Sequence, residues 1–337
     1  TYTIPATASW QLDLFGSLHN AKKRAKAQLA NSEAFRQAVQ SQLIAAIANY
    51  YYSLAMLGDQ LAISMETEKL WKENVKTTRA LMEAGQSNMA AVSQTEANYY
   101  SICTQITDLK QQISDLENEF CALLGDAPQK YDIGTMDGWT VPSNLSAGVP
   151  AAALANRPDV KQAETQLAAA YYATNESRAA FYPGINLSGT IGWTNDLGTV
   201  VNPGKWIWSA IGSLTQPLFQ NGKLRAQYKI SKAQQEQAKL TFQQTLLDAG
   251  TEVNAALTKI QASDEKGGLY DKQVAALELA VKSTQALMMN SSTNYLQVLT
   301  AQQTLLTAQM SQISNRFDQI QAVIELYQAL GGGYTTE

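Results

Sequence analysis

The sequence predicts a mainly α-helical chain with a small β part, built as an internal duplication of long helical hairpins. Three observations carry this. Val75-Lys76-Thr77-Thr78-Arg79-Ala80-Leu81-Met82 recurs 206 residues later as Val281-Lys282-Ser283-Thr284-Gln285-Ala286-Leu287-Met288, and the same offset pairs Gly16 with Gly222, Asn88 with Asn294, Val92 with Val298, and Leu124-Gly125 with Leu330-Gly331. A register held over a hundred residues marks a repeated unit. Second, apolar residues recur with alternating spacings of three and four over several heptads in each copy, the signature of coiled-coil packing. Third, short runs of alternating polarity flanked by tryptophan precede the helices, as strands do.

The first copy opens on Ser9-Trp10-Gln11-Leu12-Asp13-Leu14-Phe15, which reads as a strand leading directly into a helix at Gly16. Helical pattern follows over 17–82, then a polar break, Glu83-Ala84-Gly85-Gln86-Ser87-Asn88. Gly85 suits the left-handed residue that ends a helix and Ser87 suits the cap of the next. The second helix carries Val92, Tyr99, Ile106, Ile113 and Phe120 interleaved with Thr95, Ile102, Leu109, Leu116 and Leu123, each series spaced by seven. Residues 126–155, with Pro128, Gly134, Asp137-Gly138, Pro142 and Pro150, read as a loop-rich connection.

The second copy begins at Asn156-Arg157-Pro158-Asp159-Val160, with Asn156 placed to cap a helix, Pro158 near its first turn and Asp159 favoured by the helix dipole. Ile185, Leu187, Ile191 and Trp193 alternate with polar residues, the Asn-, Gly- and Pro-rich segment Thr194 to Lys205 forms a loop, and Trp206 to Gln216 forms a second strand. A long helix over 222–288 follows, interrupted by Lys266-Gly267-Gly268, and turns at Asn290-Ser291-Ser292-Thr293-Asn294, where Asn290 and Thr293 take the parts of Gly85 and Ser87. The last helix has its seam at Leu306, Met310, Ile313, Phe317, Ile320, Ile324 and Tyr327. The predicted organisation is therefore a first repeat over 1–125, a connector over 126–155, a second repeat over 156–331 and a tail over 332–337.

Composition narrows the function. Of 337 residues 45% are hydrophobic and 16% charged, and the net charge is −4, which argues against a nucleic-acid partner. No window approaches the ~18–20 apolar residues of a membrane helix, which excludes helical spanning and says nothing of a barrel, whose strands alternate. Cys103 and Cys121 lie 18 residues apart on one predicted helix, too far for a bridge, and His19 is the sole histidine. Without a phosphate loop, a metal-spaced cluster or a hydrolase elbow the chain is expected to be no enzyme and to need no cofactor or metal. Glu96, Asp108, Asp115 and Glu117 read as solvated helix faces. From the residues alone two readings of the strands stand level: a membrane hairpin with Trp10, Trp193, Trp206 and Trp208 at an interface, or a soluble sheet capping a helical bundle. A soluble coiled-coil scaffold or adaptor is the matching alternative for the whole chain.

With repeat, hairpins and strands placed, the chain resembles outer-membrane efflux factors of the TolC type, most closely the lipoprotein branch of tripartite RND-type pumps. The resemblance runs over essentially the whole sequence. It rests on the order and spacing of Ser9-Trp10-Gln11-Leu12-Asp13-Leu14-Phe15-Gly16, Asn156-Arg157-Pro158-Asp159-Val160, Arg178-Ala179-Ala180-Phe181-Tyr182-Pro183-Gly184-Ile185, Gln216-Pro217-Leu218-Phe219 and Tyr295-Leu296-Gln297-Val298-Leu299-Thr300-Ala301-Gln302. It implies a homotrimeric conduit, with strands of three chains closing a barrel in outer-membrane lipid and helices forming a periplasmic tunnel. It also implies docking of a periplasmic adaptor at the turns Gly85, Gln86, Ser87, Asn88 and Asn290, Ser291, Ser292, Thr293, and an RND-type inner-membrane pump beyond it. The loop from Thr194 to Lys205 would face outside. A secretion duct of the type I class is the alternative within the resemblance, and cargo stays open among drugs, metals, dyes and polypeptides.

Two departures qualify it. Such proteins carry a helix and strand hairpin before the segment matching Ser9 to Gly16, and an acylated N-terminal cysteine, so the sequence is expected to represent part of a longer chain with three of four strands. At the tip, acidic residues common in the family are replaced by Gln297 and Thr300. Constriction then falls to the neutral Asn294, Tyr295, Gln297 and Thr300.

Overall fold

The computed structural model describes residues 2–140, 154–195, 205–217, 219–289 and 295–333. The elements run β1 (Tyr2–Leu12), α1 (Ser17–Glu83), α2 (Met89–Leu124), α3 (Pro158–Ala179), β2 (Gly184–Asn195), β3 (Lys205–Thr215), α4 (Lys223–Met289) and α5 (Tyr295–Ala329). Shifted by 206, both ends of α1 fall on those of α4, and α2 matches α5 to within one residue. The glycines that punctuate these helices coincide as well: Gly16 and Gly222 have φ of 77° and 78°, Gly125 and Gly331 of 77° and 75°. Each takes a backbone conformation that other residues adopt at a cost. The chain is an internal duplication of helical hairpins with a small sheet.

The chain divides into two compact units, and each draws on both copies. One comprises residues 1–38 and 155–249, the other residues 39–154 and 250–337.

In the first unit β1, β2 and β3 form an antiparallel sheet in that order. β1 ends at Leu12, earlier than the sequence pattern suggests, and Asp13, Leu14 and Phe15 form a turn. The Asp13 carboxylate accepts from the His19 N–H at 2.7 Å, satisfying an open donor of the α1 N-terminus, and Phe15 stacks on Tyr182 at 4.7 Å. α3 is tied to the helices beside it by polar contacts. The Asn31 amide donates to the Gln162 carbonyl at 2.9 Å, Arg24 meets Glu176 at 3.3 Å, and the Ser177 and Ser231 hydroxyls lie 2.8 Å apart. The N-cap of α3 is Arg157, one residue beyond Asn156, with Pro158 at the first helical position. Buried Arg157 grips Asp159 with two nitrogens at 3.0 and 2.7 Å. Burial alone raises the carboxyl of Asp159, but Arg157 and the Val160 N–H outweigh it and hold it below its ordinary range.

In the second unit the coiled-coil seams are buried in part, with Tyr99, Ile113, Leu116 and Leu123 of α2 half-buried. Val92, Thr95, Ile102, Ile106, Leu109 and Phe120 of α2 are almost wholly inaccessible. Trp71, fully enclosed, packs with Ile102, Ile106, Leu299 and Leu306, joining α1, α2 and α5. A second cluster of Val253, Ala256, Ile260, Ala322, Leu326 and Ala329 zips α4 to α5. The connector segment 131–139 docks on α1 and α5 by burying Met136 against Ala55 and Ile320. On α5 the seam residues Leu306 and Ile320 are buried, Met310, Ile313, Phe317 and Ile324 half-buried, and Tyr327 exposed.

The interruption expected at Lys266-Gly267-Gly268 does not occur: α4 runs unbroken through it. A Cβ on Gly267 would stand 2.9 Å from Gln319 Nε2, so the bare backbone admits α5 side chains to close range. There Asn315 and Gln319 both donate to the Ser263 carbonyl, at 2.9 and 3.1 Å. These bonds offset the roughly 1 kcal/mol per residue that glycine costs a helix relative to alanine.

Candidate functional site

Two regions hold the residues singled out from sequence: the sheet and the hairpin turns. In the sheet, cross-strand register puts Ile4, Ala6, Ala8, Trp10 and Leu12 on one face with Ile185, Leu187, Gly189, Ile191 and Trp193, and with Trp206, Trp208, Ala210, Gly212 and Leu214. Over these five rows every member is apolar or glycine, and the row beyond them pairs Tyr2 with Asn195. The opposite face carries Thr3, Thr7, Ser9, Gln11, Asn186, Ser188, Thr190, Thr194, Ser209, Ser213 and Thr215, broken by Pro5, Gly192, Ile207 and Ile211. Thr3 with Thr194 and Thr7 with Thr190 form cross-strand hydroxyl pairs at 3.2 Å.

Among the described residues most of the apolar face is left exposed. Trp208 is 82% exposed, Trp206 75% and Trp10 66%. Trp193 pairs with Trp206 in the row next to residues 196–204, Trp208 lies one row further, and Trp10 sits near the opposite end beside Leu187. Five rows span about 27 Å along the strands at ~3.4 Å per residue, close to the ~25 Å apolar band of outer-membrane barrels. No helix among the described residues is long and apolar enough to cross a membrane.

The α1–α2 turn is a complete C-terminal cap. Gly85 is left-handed at φ 73°, its N–H donates to Met82 O at 2.9 Å, and the Gln86 N–H donates to Leu81 O at 2.8 Å. The cap of α2 is Asn88 rather than Ser87: its side-chain oxygen accepts from the Ala91 N–H at 2.9 Å. An ion pair that the sequence pattern did not signal closes the turn. Arg79 donates Nε at 3.1 Å and a terminal nitrogen to Glu96 of α2, so Glu96 is not simply a solvated face. A basic residue four before the helix end, facing an acid about two turns past the cap, is the signal that could have found it. At the 206 offset these positions are Gln285 and Gln302, and the buried Gln302 instead accepts from Asn74 at 2.7 Å.

In the second hairpin, Asn290, Ser291, Ser292, Thr293 and Asn294 lie outside the described residues, as does the side chain of Tyr295. Gln297 and Thr300 are exposed on the first turns of α5, three residues apart and therefore on one face. The face continues through Thr304, Thr307, Ser311 and Ser314. The Thr300, Thr304, Thr307, Ser311 and Ser314 hydroxyls each donate to the carbonyl four residues back, at 2.8 to 3.0 Å. Their donors are spent inward; the Ser314 oxygen also accepts from the Gln60 amide of α1 at 3.1 Å, while Thr300, Thr304 and Thr307 are exposed. Residues 295–315 carry no charged side chain.

Comparison with known proteins agrees with this geometry. The chain is 27% identical to the cation efflux system protein CusC of Escherichia coli over 335 residues, covering 99% of this chain and 73% of the relative. It is 28% identical to the pyoverdine export outer membrane protein OpmQ of Pseudomonas putida, covering 98% and 70%. A crystal structure of CusC superimposes with a TM-score of 0.90 at 26% identity, covering 98% of this chain and 78% of that one. The outer membrane efflux protein family matches residues 1–126 and 149–332. With its duplicated hairpins and its two-faced sheet, the chain belongs to the outer membrane efflux protein family, a family of outer-membrane transport channels.

Proposed function

We propose that the chain is the exit duct of a tripartite efflux system, assembling as a homotrimer and conducting small solutes without a catalytic step of its own. The observation that carries this reading is the exposed sheet face, apolar over five rows, with tryptophan near both ends. Three copies of such a sheet supply the strands of a closed barrel, and closure is what lipid demands of a sheet edge. Trp193, Trp206 and Trp208 take one membrane interface and Trp10 the other. The repeats over 1–125 and 156–331, joined by 126–155 and followed by a tail over 332–337, then each contribute one hairpin to the tunnel wall.

The turn at Gly85, Gln86, Ser87 and Asn88, with its counterpart at Asn290 to Thr293, is the docking point for a periplasmic adaptor that links the duct to an inner-membrane pump. The relatives' names, cation efflux for CusC and pyoverdine export for OpmQ, favour metal ions or small organic molecules as cargo, and the pump is taken to be of the RND type from the resemblance. Asn294, Tyr295, Gln297 and Thr300 form a neutral constriction.

The test is direct. Protein extracted from outer membranes in mild detergent is imaged by electron microscopy and inserted in planar bilayers. Trimers with a detergent belt and discrete conductance steps are expected. Detergent-free solubility would return the coiled-coil scaffold. Replacing Gln297 and Thr300 by Asp is expected to raise cation preference several-fold, and unchanged selectivity would remove these side chains from the pore.

A further inference from the structure

Between α4 and α5 of the second unit lies an open depression of about 300 Å³, lined by Lys266, Tyr270, Thr307, Met310, Ser311 and Asp318 among others. Its two charged groups have no ion-pair partner among the described residues. The nearby acid of α4, Asp271, is engaged instead by Gln312 at 2.7 Å. The depression therefore offers one unpaired ammonium and one unpaired carboxylate. The same lining carries hydroxyl oxygens whose protons already face the helix: Thr307 donates to Gln303 O at 3.0 Å and Ser311 to Thr307 O at 2.9 Å. Such a lining is rich in acceptors, with Lys266 as its strong donor.

Its place on α5 follows from helical phase. Gln297, Thr300, Thr304, Thr307, Ser311, Ser314 and Asp318 succeed one another at alternating spacings of three and four, which is a straight stripe on a coiled-coil helix. Thr307 lies about 10 Å and Asp318 about 27 Å beyond Thr300 at ~1.5 Å per residue. The floor of the depression is thus an extension of the face that bears Gln297 and Thr300. The matching positions in the first copy, Gln60 for Lys266 and Gln112 for Asp318, are uncharged, so the pair belongs to the second hairpin alone.

We propose that this depression is a cargo-contact site on the inner wall of the duct, taking small solutes that carry both an ammonium group and a carboxylate. The proposal rests on the duct reading for its place on the wall, while the site's chemistry stands on its own. A bare cation meets Asp318 but is repelled by Lys266, and a bare anion meets the reverse, so a solute with both charges gains twice. Both charges are exposed, and solvent-screened charges give weak and rapidly reversible binding, which suits a station that solutes must leave.

The test uses the trimer purified from outer membranes, titrated calorimetrically with 4-aminobutyrate, 6-aminohexanoate and 8-aminooctanoate, and with hexanoate and hexylammonium as single-charge controls. At least one ω-amino acid is expected to bind tenfold more tightly than either control, and Lys266→Gln and Asp318→Asn each to remove that advantage. Equal binding of all five, or an advantage that survives both substitutions, overturns the site. Ser311→Glu, read as cation preference of single channels, tests the wall separately. Binding with unchanged selectivity would take the site out of the duct and overturn its role in cargo contact. Changed selectivity without binding would overturn the site and leave the duct intact.

Discussion

The two hairpins of this chain share a register and differ in what closes them. In the first, α1 and α2 carry Leu57, Leu61, Leu109 and Ile113 at positions where α4 and α5 carry Ser263, Gly267, Asn315 and Gln319. Leu57 and Leu109 are buried, and an apolar crossing of this kind is indifferent to small slides along the helix axis. In the second hairpin two amides converge on one carbonyl, and Asn315 and Ser263 are as buried as the leucines they replace. A directional crossing fixes register more sharply than an apolar one, and it can exchange its partners for water when opened. The same divergence appears at the tips, where Arg79 and Glu96 pair in one copy and Gln285 and Gln302 stand in the other.

This contrast can be broken in graded steps. The bluntest is Ile106→Pro in the middle of α2, which should cost at least ~3 kcal/mol from the helix alone and abolish trimers on size-exclusion chromatography. Next comes a reciprocal exchange. Leu109→Asn places an unmatched amide in the apolar crossing and should destabilise by roughly 3–5 kcal/mol. Asn315→Leu leaves Gln319 on the Ser263 carbonyl and should stay within about 1.5 kcal/mol. Urea midpoints of the two variants decide it, and equal losses would mean that the hairpins are closed alike. The glycines sharpen the point further. Gly268 has open space where a Cβ would go, so Gly268→Ala should stabilise by about 0.5–1 kcal/mol, whereas Gly267→Ala displaces Gln319 and should return little or none of that. The smallest effect is expected of Arg79→Gln, which gives the first tip the residue of the second. Hydrogen exchange at the amides of 84–91 should quicken slightly, and the difference should vanish near 1 M salt, where the screening length is ~3 Å.

Much of this architecture was legible in the residues because it rests on period and punctuation. The 206-residue offset, the helix start at Gly16, the stop at Gly85 and the three-four seams each have a local physical cause, and the ends of α1 and α4 fell within a residue of their expected places. The misses have causes too. Lys266-Gly267-Gly268 reads as a break when glycine is judged by local propensity, but the reason for the glycine, Gln319 approaching from another helix, is not local. Caps moved by one residue: Asn88 rather than its polar neighbour Ser87 accepts from the helix, and α3 starts after Arg157, whose side chain makes no capping bond, with Pro158 at its first position. β1 stopped at Leu12 because Asp13 is drawn to the start of α1. The Lys266 and Asp318 depression had no sequence signature, since its walls come from two helices some fifty residues apart.

The paired glycines, Gly16 with Gly222 and Gly125 with Gly331, have a further consequence for symmetry. Three duplicated chains in the proposed trimer present six hairpins, so the tunnel wall is a pseudo-sixfold ring built with threefold genetics. A true hexamer of half-length chains would have to accept every substitution six times around the ring. Fusion halves that constraint: one set of three hairpins can keep its leucines as hoops, while the alternate set acquires amides, glycines and a pair of unpaired charges. The asymmetry between Leu109 and Asn315 is what a fused chain can hold and a symmetric hexamer cannot.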